Sequence, residues 1–165
     1  MSLPVSIRLA EASDAEAVTA LLIELGCDVE RRDVTPRLER LADRPWDRVY
    51  VAEAAGRVVG LLGLHLAPLL HRDCFGRITA FVVTGAHRGK GIGSRLLDAA
   101  EKWALSQGCT QIELNSGDHH AQGHAFYRAH GFRCDDRRFV KEWGNGCSNV
   151  HLGTSPEQAE FPEHP

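Results

Sequence analysis

The sequence predicts an α/β domain: a mixed, mostly antiparallel sheet with helices on both faces. Two observations carry this. Strand-like apolar runs alternate with helical patterns along 165 residues, a length that suits one domain with a substantial core. In the middle, the run Ile78-Thr79-Ala80-Phe81-Val82-Val83, rich in β-branched and aromatic residues, is followed by a glycine-rich loop. A helical stripe of Ile92, Leu96, Leu97, Ala100, Trp103 and Ala104 comes next. A strand followed by a helix is the first part of a crossover, so the strand after the helix is expected to lie parallel to the strand before it.

The remaining elements follow in chain order. Residues 5 to 10 read as a first strand. Ser13 with Glu16 has the spacing of a capping box ahead of a helix that runs through Leu25 and stops at Gly26. Pro36 suits the first turn of a second helix, carrying Leu38 and Leu41 and ending before Pro45. Residues 49 to 54 and 58 to 66 read as two strands of a hairpin joined at Ala55-Gly56-Arg57, and residues 68 to 75 as a connecting loop. After the long helix, stopped by Gly108, residues 110 to 114 are expected as the parallel strand. Residues 121 to 130 read as a short helix ended by Gly131, and residues 138 to 142 as a last strand. The domain is expected to span residues 1 to 143. Residues 144 to 165, polar and carrying Pro156, Pro162 and Pro165, read as an appendage.

Bulk properties narrow the function. A net charge of -3 with mixed signs argues against a nucleic-acid partner, which selects a basic stripe. No apolar run approaches the roughly 20 residues of a membrane span, and Met1-Ser2-Leu3-Pro4 lacks the pattern of a signal sequence. A cytoplasmic protein is expected. Cys27, Cys74, Cys109, Cys134 and Cys147 are odd in number and contain no Cys-x-x-Cys pair, so neither a disulfide framework nor a zinc knuckle is indicated.

The loop Arg88-Gly89-Lys90-Gly91-Ile92-Gly93-Ser94 carries the chemistry. Glycines at 89, 91 and 93 remove Cβ atoms at the positive end of a helix, where amide N–H groups converge on an anion. A P-loop requires Ser or Thr directly after the Gly-Lys pair, where Gly91 stands. The dinucleotide fingerprint requires a glycine where Ser94 stands, although Glu113 falls where a ribose-binding acid belongs. A tight turn before a helix needs fewer glycines than this loop has.

The loop resembles the Arg/Gln-x-x-Gly-x-Gly/Ala motif of the GNAT superfamily, the acetyl-CoA-dependent N-acetyltransferases. A second block, Gly123-His124-Ala125-Phe126-Tyr127-Arg128-Ala129-His130-Gly131-Phe132, is similar to that family's Ala-x-x-Phe-Tyr-x-x-x-Gly-Phe segment. The resemblance implies the GNAT fold, with the sheet splayed at its central parallel pair, and acetyl-CoA as co-substrate. It implies the pyrophosphate on the amides of Gly89, Lys90, Gly91, Ile92, Gly93 and Ser94, with charge from Arg88 and Lys90. Pantetheine is implied alongside Phe81, Val82 and Val83, pairing as another strand would, with the Val83 amide or a neighbour polarising the thioester carbonyl. Tyr127 matches the family tyrosine that protonates the departing thiolate; a phenol of reference pKa about 10 does so at neutral pH. His120 stands where many relatives have a pantetheine-binding Asn, and Gly123 where they have Ala. The resemblance further implies a small-molecule amine as acceptor and a homodimer.

The central strand carries Thr79 and Ala80 where many relatives have a basic Glu, so the general base is unassigned. His65, His71, Asp118, His119, His120 and His124 are candidates, since imidazoles titrate near neutrality. Asp118-His119-His120 and the segment from His71 to Cys74 lack a recognised ligand spacing, and no metal is assigned. Leu62-Gly63-Leu64-His65-Leu66, Leu70-His71, Glu113-Leu114 and Arg138-Phe139-Val140-Lys141 resemble the aminoalkylphosphonate N-acetyltransferase branch. Arg77 and Ala80 depart from acidic positions there, and Arg77 is a candidate partner for an anionic acceptor. An aminophosphonate, an amino acid and an aminoglycoside-like amine are all compatible acceptors. The missing carboxylate motivates an alternative, a non-catalytic acyl-CoA sensor.

Overall fold

The computed structural model describes residues 4–116 and 121–134. The expected strand at 138–142, the appendage at 144–165, and Asp118, His119 and His120 lie outside the described residues.

Among the described residues, five strands form one sheet in the order β1 (Val5–Leu9), β2 (Asp47–Ala54), β3 (Arg57–Ala67), β4 (Phe75–Val83), β5 (Gln111–Leu114). The first four are antiparallel neighbours, and β5 runs parallel to β4, as the crossover rule requires. The crossover is α3 (Ile92–Ser106), preceded by α1 (Ala15–Glu24) and α2 (Arg31–Ala42) and followed by α4 (Ala121–Ala129).

Strand alternation sends the two faces of the sheet into separate cores. Tyr50, Ala52, Leu62, Leu64 and Ile78 meet Leu96, Leu97, Ala100 and Trp103 of α3. Val51, Leu61 and Val82 meet Ala15, Val18 and Leu21 of α1 and Val34 and Leu38 of α2. Burial on both faces explains why β3 reads as a nearly continuous apolar run. α3 sits close on this sheet: a Cβ at Gly60 would lie 3.0 Å from Leu96.

Local chemistry accounts for the differences from expectation. Ser13 and Glu16 do not form the capping box, because Arg8 clamps Asp14 at 2.7 and 2.9 Å and the Glu11 N–H donates to the same carboxylate at 2.8 Å. Residues 12–14 thereby make a 3-10 turn, and α1 starts at Ala15. The Arg8 guanidinium holds the Asp14 carboxyl below the usual carboxylate range. Pro36 lies in the second turn of α2 and not the first, since the helix begins at Arg31; Thr35 Oγ1 donates to the Arg31 carbonyl at 3.2 Å beside it. The hairpin has a two-residue turn, Ala55 at φ 50° and Gly56 at φ 73°, between the paired Ala54 and Arg57. Two positive φ values match the right-handed twist of the strands. β2 begins two residues and β4 three residues earlier than the apolar runs, because Asp47 and Phe75 pair with His65 and Ala67 of β3.

Candidate active site

The site is built where β4 changes partner. Leu64 pairs with Ile78 and Gly63 with Ala80, so Thr79 is an extra residue in β4, a β-bulge. Gly63 makes room for it: a Cβ there would lie 2.6 Å from Thr79 Oγ1. The parallel ladder to β5 covers Phe75 to Ile78 and stops at Leu114, directly before the bulge. From Thr79 onward β4 has β3 on one side and an open edge on the other.

The polarity of that edge follows from the ladder. The Thr84 N–H donates to the Val59 carbonyl at 2.9 Å. Antiparallel alternation then turns the backbone groups of Val82 and Ala80 toward β3, and those of Phe81 and Val83 toward the open edge. The Val83 carbonyl accepts Arg88 Nε at 2.9 Å, as that geometry requires, and its N–H faces the same way.

The edge leads into the glycine loop. Gly89 and Gly91 have φ of 73° and 76°, a left-handed conformation that disfavours side chains. Gly91 is the N-cap of α3, no side chain caps the helix, and its first closing bond runs from the Arg95 N–H to the Gly91 carbonyl at 3.2 Å. The amides of Ile92, Gly93 and Ser94 are therefore open donors at the positive helix end. Gly93 admits the aromatic ring of Phe126: a Cβ would stand 3.3 Å from it.

A cleft of about 1010 Å³ joins these parts. Phe81, Val82, Val83, Arg88, Gly89, Gly91, Ile92, Gly93, Ser94 and Tyr127 all line it, among the residues singled out from sequence. The Val82 side chain itself belongs to the core on the α1 face. Lys90 does not line it; Nζ donates to the Ala86 carbonyl at 2.9 Å. Arg88 turns back over the open edge, with Nη2 on Glu24 at 3.1 Å. Glu24, at the end of α1, also accepts the Gly85 N–H at 2.8 Å. Glu24, Cys27, Asn115 and Ser116 line the cleft without any motif in the sequence to announce them. Ser94 Oγ lies 2.9 Å from His130 Nε2, and His130 Nδ1 lies 2.8 Å from the Phe126 carbonyl. Since only a protonated Nδ1 bonds a carbonyl, a neutral His130 accepts the Ser94 hydroxyl at Nε2.

Tyr127 sits among aromatic rings, its centroid 6.2 Å from Phe81, 5.6 Å from Phe126 and 5.7 Å from Phe132. Burial among them pushes its phenol above the ordinary range, because the phenolate loses solvation.

Candidate bases and anion partners are dispersed. His65 Nδ1 is 2.8 Å from Asp47 Oδ1 at the far end of β3, outside the cleft lining. Arg44 Nε stands 3.1 Å from the other Asp47 oxygen in an ion pair without hydrogen-bond alignment. His71 is exposed in the loop before β4, and His124 does not line the cleft. Arg77 is not a free partner for an anionic acceptor; it is hydrogen-bonded to Glu113 of β5 and lies over Phe75. Among the described residues, no group of three or more His, Cys, Asp or Glu side chains is arranged to hold a metal ion. No helix among them is long and apolar enough to cross a membrane.

A splayed parallel pair whose open strand leads to a phosphate-type loop defines a class, and residues 17–132 match the family model described as Acetyltransferase (GNAT) family. The chain belongs to this family of acetyl-CoA-dependent N-acetyltransferases. It is 31% identical over 142 residues to aminoalkylphosphonate N-acetyltransferase of Salmonella typhimurium, covering 82% of this chain and 89% of that protein. It is 28% identical over 137 residues to aminoglycoside N(6')-acetyltransferase type 1 of Stenotrophomonas maltophilia, covering 80% and 88%. A solved aminoglycoside N-acetyltransferase in complex with CoA superposes with a TM-score of 0.78 over 87% of this chain and 97% of that one; at 16% identity this shows the shared fold.

Proposed function

We propose that this protein transfers the acetyl group of acetyl-CoA directly to the primary amine of a small molecule, with Tyr127 as general acid. The observation that carries the reading is the open edge of β4. It offers the Phe81 and Val83 backbone groups at one end, the loop amides at the other, and Tyr127 within ring-packing distance of Phe81.

The chemistry follows from the residues. The amides of Gly89 and of Gly91 to Ser94 receive the pyrophosphate, without desolvating a cation. Pantetheine pairs with the open edge as a missing strand would. Arg88 occupies the Val83 carbonyl and leaves the Val83 N–H, with that of Phe81, as a donor on that edge, suited to the oxygen of the tetrahedral intermediate. The amine attacks the thioester carbon, the C–S bond breaks, and Tyr127 delivers its proton to the departing sulfur. Its raised pKa keeps the phenol protonated across neutral pH.

For the acceptor, relatives named for aminophosphonates and aminoglycosides support a polyfunctional small amine. Glu24 and the polar Thr79, Asn115 and Ser116 give the cleft hydrogen-bonding groups for such a molecule. The test is a panel of aminophosphonates, amino acids and aminoglycosides, read by release of free thiol from acetyl-CoA. Turnover on at least one member is expected. Saturable acetyl-CoA binding with no turnover on any amine would replace this reading with that of an acyl-CoA sensor.

A further inference from the structure

Cys74 and Cys109 have no motif in common, and 34 residues separate them. The fold brings them together at the closed end of the parallel pair. The Thr110 N–H donates to the Cys74 carbonyl at 3.2 Å, directly before the first ladder pair, Phe75 with Gln111. That bond joins the carbonyl of one cysteine to the amide that follows the other. Cys74 thus lies opposite Thr110, and Cys109 is one residue back; a strand spacing of about 4.8 Å and a rise of about 3.3 Å put the two cysteines roughly 6 Å apart, within the roughly 4.4–6.8 Å that disulfides span. Both side chains pack into the core on the α3 face, Cys109 buried and Cys74 half-buried, and Cys74 is near enough to perturb the Cys109 thiol. Cys74 Sγ also makes a weak contact to the Phe75 carbonyl at 3.8 Å.

We propose that Cys74 and Cys109 are a dithiol modification site, which hydrogen peroxide converts to a disulfide stapling β4 to β5 below the bulge. Cys74 is the thiol the oxidant reaches. Its sulfur attacks a peroxide oxygen, the O–O bond breaks, and one water leaves with a Cys74 sulfenic acid. The Cys109 sulfur then attacks the Cys74 sulfur; the S–S bond forms, the S–O bond breaks, and the hydroxyl leaves with the Cys109 proton as a second water. Two thiols lose two electrons and two protons, and one peroxide becomes two waters. Burial, followed by contact with Cys74, pushes the Cys109 thiol up to about 12, so Cys109 is not the thiol that meets the oxidant; its place beside Cys74 is what makes it the resolving thiol. The proposal is independent of the acceptor and of the role of Tyr127.

The experiment treats the full chain with hydrogen peroxide, blocks free thiols with iodoacetamide and digests with trypsin without reduction. Cleavage after Lys and Arg puts Cys74 in peptide 73–77 and Cys109 in peptide 103–128, each with no second cysteine. The expected product is these two peptides joined, two hydrogens lighter than their sum. A rise in Tm of roughly 5 °C or more is expected with it, since the bridge closes a long loop. Cys74→Ser and Cys109→Ala each abolish the joined peptide and the shift; Ala is used at 109 so that no hydroxyl is buried. Recovery of both peptides alkylated, or of Cys74 joined to a peptide bearing Cys27, Cys134 or Cys147, overturns the proposal. So does a shift that survives in Cys74→Ser.

Discussion

The two halves of β4 are made of similar residues and behave oppositely. Phe75 to Ile78 is paired on both edges, to β3 and to β5, with Gly76 and the Ile78 side chain buried in the core. Phe81 to Val83 is paired on one edge alone, and the groups on the other line a cleft of about 1010 Å³. Between them stands one extra residue, Thr79, over a glycine that has no Cβ to obstruct it. A bulge increases local twist and ends regular pairing, so one residue divides a strand into a structural half and a chemical half. Backbone groups left without strand partners need other partners; under the proposed function, pantetheine takes them.

The division is open to test, and the largest effect is expected at the chemical end. Tyr127→Phe should lower kcat by about 10³-fold, near 4 kcal/mol of transition-state free energy, with acetyl-CoA affinity unchanged by calorimetry. The same residue is expected to set the alkaline limb of the rate profile. Its pKa is raised, so activity falls only as pH climbs through values above the ordinary phenol range, and this limb should vanish in Tyr127→Phe. An unaltered limb would assign it to another group.

Leu64→Ala tests the structural half. Leu64 is 2% exposed and pairs with Ile78, so its loss should cost about 3 kcal/mol in urea unfolding. Turnover per folded molecule should stay within about twofold. Gly63→Ala attacks the boundary itself. A Cβ set 2.6 Å from Thr79 Oγ1 forces the bulge to shift, with about 2 kcal/mol lost in stability and roughly tenfold in kcat. Loss of stability with full activity would show that the bulge merely fits the sheet and does not position the edge. The smallest effect is expected at His130→Ala, which frees the Ser94 hydroxyl. It should weaken acetyl-CoA binding by about 1 kcal/mol, roughly fivefold, with little change in amine KM.

How far the sequence could be read depended on whether a feature is local. The amphipathic stripe of α3, the hairpin at Ala55-Gly56 and the glycine loop are governed by periodicity and backbone sterics within a few residues, and each stands where it was expected. The Ser13–Glu16 box failed because Arg8 reached across to Asp14, and that choice depends on where β1 runs relative to α1. The Arg77 side chain, read as available to an acceptor, was already engaged by Glu113 on a strand 36 residues away.

The sequence by itself determined the order of elements, the parallel crossover, the anion-type loop and the Phe126-Tyr127 block, because spacing, propensity and glycine content are properties of neighbours along the chain. Tertiary structure alone decided that β4 parts from β5 after Ile78, and that the Arg88 and Lys90 side chains bond the protein's own carbonyls. It also decided that Glu24, Cys27 and Asn115 face the cleft and that Cys74 meets Cys109. These are contacts between segments far apart in the chain. They depend on the twist and register of an assembled sheet, and no local pattern encodes either.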